Sequence, residues 1–455
     1  MATTTETPIP AGGAVPAAFQ TLDTSVPPLA PSPPETAGRC DDDPFAGQSQ
    51  LEPDALVAAV IDRNPSLAAM SAAWQADAER YPQAVSLDDP MLSMSVAPAS
   101  IGSTTNDVGW IVRGSQKIPW SGKRDLRGEQ AEAGASAARL DLADAEIRLV
   151  AAARVALWDY YLVRRQKELN AENRVALKGF RDTAQAKYRA AQVTQQDVLA
   201  ADVELAEIER REFELNRMES VAIARINTLL HRSADHPLPP PRRPRSAQAA
   251  PPVVWLQQLA VERRPDLAAI GAELRAEQAA VELAERDYYP DLEVFGLYNG
   301  NWQGASRQLA PMVGVNMNVP LDNARRQAAV REASARVEQR RWQYEAKLDE
   351  IHSEVQIAYA RLTESDKTLA LYRQTILPAA GQYLEAARGN YTANTLDFLH
   401  LIDAERRLIQ LREQYEVALA ERERRGAELQ EAAGGAWPQA AGPEAVPTPP
   451  GKEKD

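Results

Sequence analysis

Apolar positions along this chain alternate between a helical period and a period of two, and they do so twice in the same order. A helix is predicted near residues 52 to 63, ending before Pro65 because a proline disfavours helical geometry in the residue before it. A second helix then runs to about 85. Two strand candidates come next, PMLSMSVAP at 90–98 and DVGWIVRGSQKI at 107–118, with a turn-rich stretch between them. Their counterparts are DLEVFGLYN and PMVGVNMNV, so a hairpin is expected at about 90–118 and another at about 290–319. Alternation is cleanest in the last strand, where Val313, Val315, Met317 and Val319 share one face and Gly314, Asn316 and Asn318 the other.

After each hairpin comes a proline and then a very long helical pattern, roughly 121–190 and 321–391. At 1.5 Å per residue, about 70 helical residues reach roughly 105 Å, more than one globular domain spans. A second helix succeeds each, near 195–231 and 396–433. Leu401, Leu408, Leu411, Tyr415 and Ala418 trace a coiled-coil seam, as do Leu205, Ile208, Leu215 and Ala222. The seams predict antiparallel helix pairs.

The duplication can be read in the letters. RNPSLAAM at 63–70 returns as RRPDLAAI at 263–270, and Pro90 and Leu92 return as Pro290 and Leu292. Pro119 matches Pro320, Tyr188 matches Tyr391, and QQDVLAAD resembles FLHLIDAE. The chain therefore divides into an N-terminal segment 1–48 expected to be disordered, a first repeat 49–236, a proline-rich crossover 237–252, a second repeat 253–433, and a disordered tail 434–455.

Composition narrows the class. In 455 residues, aromatics are only 6% and the net charge is −13, which gives no general reason to expect nucleic-acid binding. No apolar run approaches the ~18 to 20 residues of a membrane-spanning helix. Strands with one apolar and one polar face, about ten residues long, are instead the pattern of a membrane β-barrel with a wet interior. Four strands cannot close such a barrel, since the smallest use about eight, so copies of the chain would have to assemble. A helical tube continuing a barrel would be a conduit; a soluble coiled-coil scaffold with dimerising hairpins is the competing reading.

In these features the chain resembles the TolC family of outer-membrane efflux channels over about residues 50–433. The resemblance rests on the paired phrases at 63–70 and 263–270, the strand endings QKIPWSGKR and MNVPLDNARR, and the pair YRAAQVTQQDVLAAD and YTANTLDFLHLIDAE. It implies a mainly α fold with a small β part: a homotrimer whose outer-membrane β-barrel is continued by a periplasmic α-helical barrel. It further implies a passive exit duct in contact with outer-membrane lipid, a periplasmic adaptor and an inner-membrane transporter of the resistance-nodulation-division type. The cargo would be heavy-metal cations or drugs, and type I secretion is the alternative. By the same resemblance, the turns after Tyr188 and Tyr391 form the periplasmic tip. Asp197, His400, Asp403 and Tyr391 match the gate, with His400 standing where relatives often carry an acid. Gln192, Val193, Thr194, Asn394 and Thr395 match the adaptor-contact tip. Ala191 and Asn394 stand where glycine is usual; Ala accepts left-handed geometry poorly, so a differently shaped first turn is expected. Each acid also has a plain reading as a solvated helix charge.

Other chemistry finds little support. Cys40 is the single cysteine; it reads either as a lipid-attachment site or as a linker cysteine, and Arg39 before it favours the linker. No recognisable signal region precedes it. The histidines His231, His236, His352 and His400 are scattered and make no metal site. SGKR at 121–124 lacks the glycine and the Ser or Thr of a phosphate loop. No enzyme activity and no cofactor are expected.

Overall fold

The computed structural model describes residues 43–102, 108–244, 249–300, 302, 311–393, 395 and 398–437. Cys40 and Asn394 lie outside the described residues. All helices and strands among the described residues belong to the unit Pro44–Asp455.

The first half consists of α1 (Pro53–Arg63), α2 (Pro65–Ala78), α3 (Arg80–Val85), β1 (Met91–Val96), β2 (Trp110–Ile118), α4 (Lys123–Arg189) and α5 (Gln195–Leu229). The second consists of α6 (Val253–Arg263), α7 (Pro265–Arg286), β3 (Leu292–Gly300), β4 (Met312–Met317), α8 (Asn323–Leu371), α9 (Leu377–Thr392) and α10 (Phe398–Ala432). At 67 residues, α4 runs about 100 Å unbroken. Its counterpart is interrupted, contrary to the single helix expected over 321–391. A π-helical turn, Tyr372–Ile376, separates α8 from α9, and Leu377 N–H bonds to the Tyr372 carbonyl five residues back. Pro378 supplies the reason: it has no N–H for the α-helical ladder, and the wider turn absorbs the missing bond.

The halves share one core plan. Leu56, Val60, Leu157, Tyr160, Ile226 and Leu230 form one buried cluster. Leu256, Ala260, Val355, Leu362, Leu429 and Ala433 form its equivalent. Burial extends past the expected tethers: Phe45, inside the 1–48 segment, is 2% exposed in the first cluster, and Trp437 packs against the second. An apolar ring within a few residues of a helix offers more burial than a compositional boundary registers. The crossover is also held, with Leu51 N–H bonded to the Pro240 carbonyl and Arg242 paired with Glu52.

The repeated phrase is built in two ways. Asn64 caps α2 by accepting from Ser66 N–H at 3.0 Å, and its amide donates to the Leu229 carbonyl at 3.1 Å. At the matching place Arg264 is buried and paired with Asp266 and Glu354, and Asp266 also holds Lys347 at 3.1 Å.

Candidate functional site: an open sheet and a helical tip

The four strands form one antiparallel sheet in the order β1-β2-β3-β4, so the two hairpins join through β2 and β3 and both outer strands have a free edge. Register assigns the faces, because directly paired residues point the same way. Leu92 pairs with Gly114, Gly114 with Gly296, and Gly296 with Val313. Leu92, Met94, Val96, Trp110, Val112, Val294, Tyr298, Val313, Val315 and Met317 thus share one face, broken by a single polar residue, Gln116. Val313 is 88% exposed and Leu92 80%. None of the described residues covers this surface, whose outward display in water would be costly.

The opposite face carries Ser93, Ser95, Arg113, Ser115, Lys117, Glu293 and Asn316 alongside Met91, Ile111, Phe295, Leu297 and Met312. Arg113 and Asn316 donate to the two Glu293 carboxylate oxygens at 3.3 and 3.0 Å. The Arg113 guanidinium also lies 4.4 Å from the centre of the Phe295 ring. Gly314 makes room for that ring, since a Cβ there would lie 2.6 Å from Phe295. The first face suits hydrocarbon, and every charged residue of the four strands lies on the second.

Below the sheet the chain turns into helix through a buried lysine. Lys123 is 3% exposed and pairs with Asp287 and Asp291, each at 3.0 Å. Trp120 N–H donates to Asp291 at 2.9 Å, and its ring stacks on Tyr289 at 5.4 Å. The SGKR stretch therefore supplies a clamp between the halves. Sequence reasoning tested it as a phosphate loop and used it as a strand ending, but not as a clamp; its signal was the lysine that follows Gly122, whose φ of 86° starts α4.

At the far end of the long helices, Tyr391 is 6% exposed and packs with Ala184, Ala201, Leu384, Leu401 and Ile402. Lys187 crosses from the first half, placing its ammonium 3.9 Å from the Tyr391 ring centre and donating to the Tyr391 carbonyl at 3.3 Å. Burial, then the nearby charge of Asp197, push the Tyr391 phenol above its ordinary range. Asp197 and Tyr391 are thus brought together across the halves. Asp197 also belongs to a capping box with Thr194, accepting from its N–H at 3.3 Å. Asp403 is exposed and sits 3.5 Å from Arg406, whose guanidinium is engaged mainly by Glu204 of α5, at 2.9 Å from Nε. His400 is exposed and makes no hydrogen bond or ion pair among the described residues. Gln192, Thr194 and Thr395 are exposed and Val193 half-buried.

The expected difference in turn shape does not appear in the first tip. Ala191 takes the left-handed conformation, φ 55°, that glycine would adopt. Gln192 N–H then bonds to the Lys187 carbonyl at 2.9 Å, as Thr395 N–H does to Asn390. Satisfying helix-end carbonyls outweighs a strain of about 1 to 2 kcal/mol.

A mainly helical chain with a small open sheet, one face apolar, has the fold of the outer-membrane efflux channels. Two solved structures carry it: the outer-membrane channel OprN, with a TM-score of 0.71 at 21% identity over 87% of this chain and 96% of that one, and the outer membrane protein VceC from Vibrio cholerae, with 0.71 at 17% over 84% and 96%. The family model described as Outer membrane efflux protein matches residues 256–435 of this chain. A curated relative, the cobalt-zinc-cadmium resistance protein CzcC of Cupriavidus metallidurans, is 30% identical over 164 residues. That match spans 36% of this chain and 38% of the relative's length.

Proposed function

We propose that three copies of this chain form an outer-membrane exit duct of a tripartite efflux system, receiving cargo from an inner-membrane transporter through a periplasmic adaptor. The observation that carries this reading is the sheet: an exposed apolar face, all the charged residues on the face opposite, and two free edges. In lipid an open edge leaves backbone groups unpaired, and closure of β1 on β4 of a neighbouring copy satisfies them. Three copies bring about twelve strands, above the ~eight that a membrane barrel needs. The duct is passive and does no bond chemistry. Heavy-metal cations are the favoured cargo, on the likeness to CzcC. Purified chain added to a planar bilayer is expected to give stepwise conductance and, on a gel, a heat-modifiable trimer band; a monomer without conductance overturns the reading.

At the tip, Asp197 and Asp403 from three chains narrow the aperture, Tyr391 restrains it, and His400 lies beside it, with Gln192, Val193, Thr194, Asn394 and Thr395 meeting the adaptor. Rings of carboxylate favour cations at a constriction. Asp197→Asn keeps an acceptor for the Thr194 N–H and removes the charge. It is therefore expected, together with Asp403→Asn, to lower cation selectivity and raise conductance. Unchanged values in the double Asn variant would reduce Asp197 to a helix cap.

A further inference from the structure

The apolar face of the sheet ends at Ile118, Leu292 and Met317, and in the segments that follow the surface changes character. The stacked pair Trp120 and Tyr289 comes first, joined by Val319 and Leu321, of which Leu321 is 84% exposed. Tryptophan and tyrosine gather where headgroups meet hydrocarbon, since their rings are apolar and their N–H or O–H is not. Arginines come at once after them: Arg124 and Arg127 in the first turns of α4, Arg286 ending α7, and Arg325 and Arg326 opening α8.

Three of the nearby acids are occupied elsewhere, while Asp88, Asp89, Asp125, Glu129 and Glu285 are exposed with no ion pair among the described residues. Asp287 and Asp291 hold the buried Lys123, and Asp322 caps α8 by accepting from Arg325 N–H at 3.1 Å. Arg124 and Arg326 donate to backbone carbonyls: Arg124 to Val85, and Arg326 to Asp287 and Asp322. Arg127, Arg286 and Arg325 are exposed, and their guanidinium groups have no carboxylate partner among the described residues, although Asp125 and Glu129 share the first turns of α4. Four of these arginines stand at helix starts, where the backbone dipole disfavours positive charge. Helix stability therefore does not account for those four, although it favours Arg286 at the end of α7; a negatively charged surface on the outside accounts for all five.

We propose that Arg127, Arg286 and Arg325, with the Trp120–Tyr289 stack above them, form a docking collar for anionic phospholipid headgroups of the inner leaflet. The occupant follows from position and charge. The collar is continuous with the lipid-facing strands, it lies on the helical side of the sheet, and guanidinium pairs with phosphate through two parallel bonds. Three copies multiply the contacts around the barrel foot. The inference rests on the membrane reading of the sheet.

The test compares the full chain with the Arg127→Gln, Arg286→Gln, Arg325→Gln triple variant, each inserted in vesicles of phosphatidylethanolamine with a minor share of phosphatidylglycerol. Lipid retained by the detergent-extracted assembly is then measured by mass spectrometry. The original chain is expected to enrich phosphatidylglycerol about fivefold over the bulk ratio, as for one or more surface arginines near an anionic leaflet. In the triple variant that enrichment is lost while conductance is kept. Equal enrichment in both proteins overturns the proposal, as does selective retention of lipopolysaccharide instead of phosphatidylglycerol in a parallel arm. A chain that fails to insert sinks the membrane reading as well; one that inserts and conducts without preference sinks the collar alone.

Discussion

The two halves of this chain reach the same architecture with different chemistry at equivalent points. Tyr188 and Tyr391 occupy matching places at the ends of the long helices, yet Tyr188 is 44% exposed and Tyr391 only 6%. Asn64 caps its helix with a neutral amide, whereas Arg264 at the matching place makes no cap and is held in an ion-pair cluster. The first long helix is continuous, and the second is broken by a π turn at 372–376. Duplication copied the framework, and the halves then diverged: the second supplies most of the packed tip and the interrupted helix, and the first the continuous helix.

The largest test of that divergence is at the tip. Tyr391→Ala removes a buried ring from the cluster joining both halves, at a cost of about 3 to 5 kcal/mol, while Tyr188→Ala is expected to stay within about 0.5 kcal/mol. Hydrogen exchange read separately on 184–201 and 384–408 checks the contrast; equal loss of protection in both variants would mean that the tyrosines are equivalent. Next in size is the repeated phrase. Arg264→Ala leaves Asp266 buried with Lys347 alone, at a cost of about 2 to 3 kcal/mol, against about 1 kcal/mol for loss of the Asn64 cap in Asn64→Ala. Protection of α7 compared with α2 measures the difference.

Acid sharpens the same comparison. Burial pulls the Asp266 carboxyl upward, but the Arg264 hydrogen bonds and charge, with those of Lys347, hold it below its ordinary 3.8. A depressed carboxylate stabilises the fold above its unfolded value, and that contribution is lost as pH falls through the folded value. The start of α7 is therefore expected to loosen below about pH 3.8, while α2, with Ser66 in place of the acid, does not respond. Refolded chain followed by exchange between neutral and strongly acid pH is the measurement, and Arg264→Ala should abolish the acid step.

Most of the framework was legible in the sequence because period and repetition are long-range signals. Val313, Val315 and Met317 alternate whatever their neighbours do, and Pro65 and Pro265 break helices by their own geometry. What was not legible depended on partners distant in sequence. Nothing in SGKR reveals that Lys123 meets Asp287 and Asp291, and nothing around Phe45 shows that a core lies waiting for it. Asp197 was singled out as a charge, and its bond to the Thr194 N–H is a local signal, T-x-x-D, that a search for caps would have found.

The smallest effect concerns Ala191, where the first tip departs from the residue its geometry favours. The alanine holds φ at 55° so that the Gln192 N–H can reach the Lys187 carbonyl. Ala191→Gly relieves the clash of the methyl with the backbone and also loosens the unfolded chain, which works the other way. The net gain is expected to be no more than about 1 kcal/mol. If the continuous helix of the first half takes no part in opening, slower exchange in the 187–197 turn should leave conductance unchanged, because the strain is local to that turn. A change in conductance from this one substitution would show instead that the first tip takes part in opening, and that the halves share the gate.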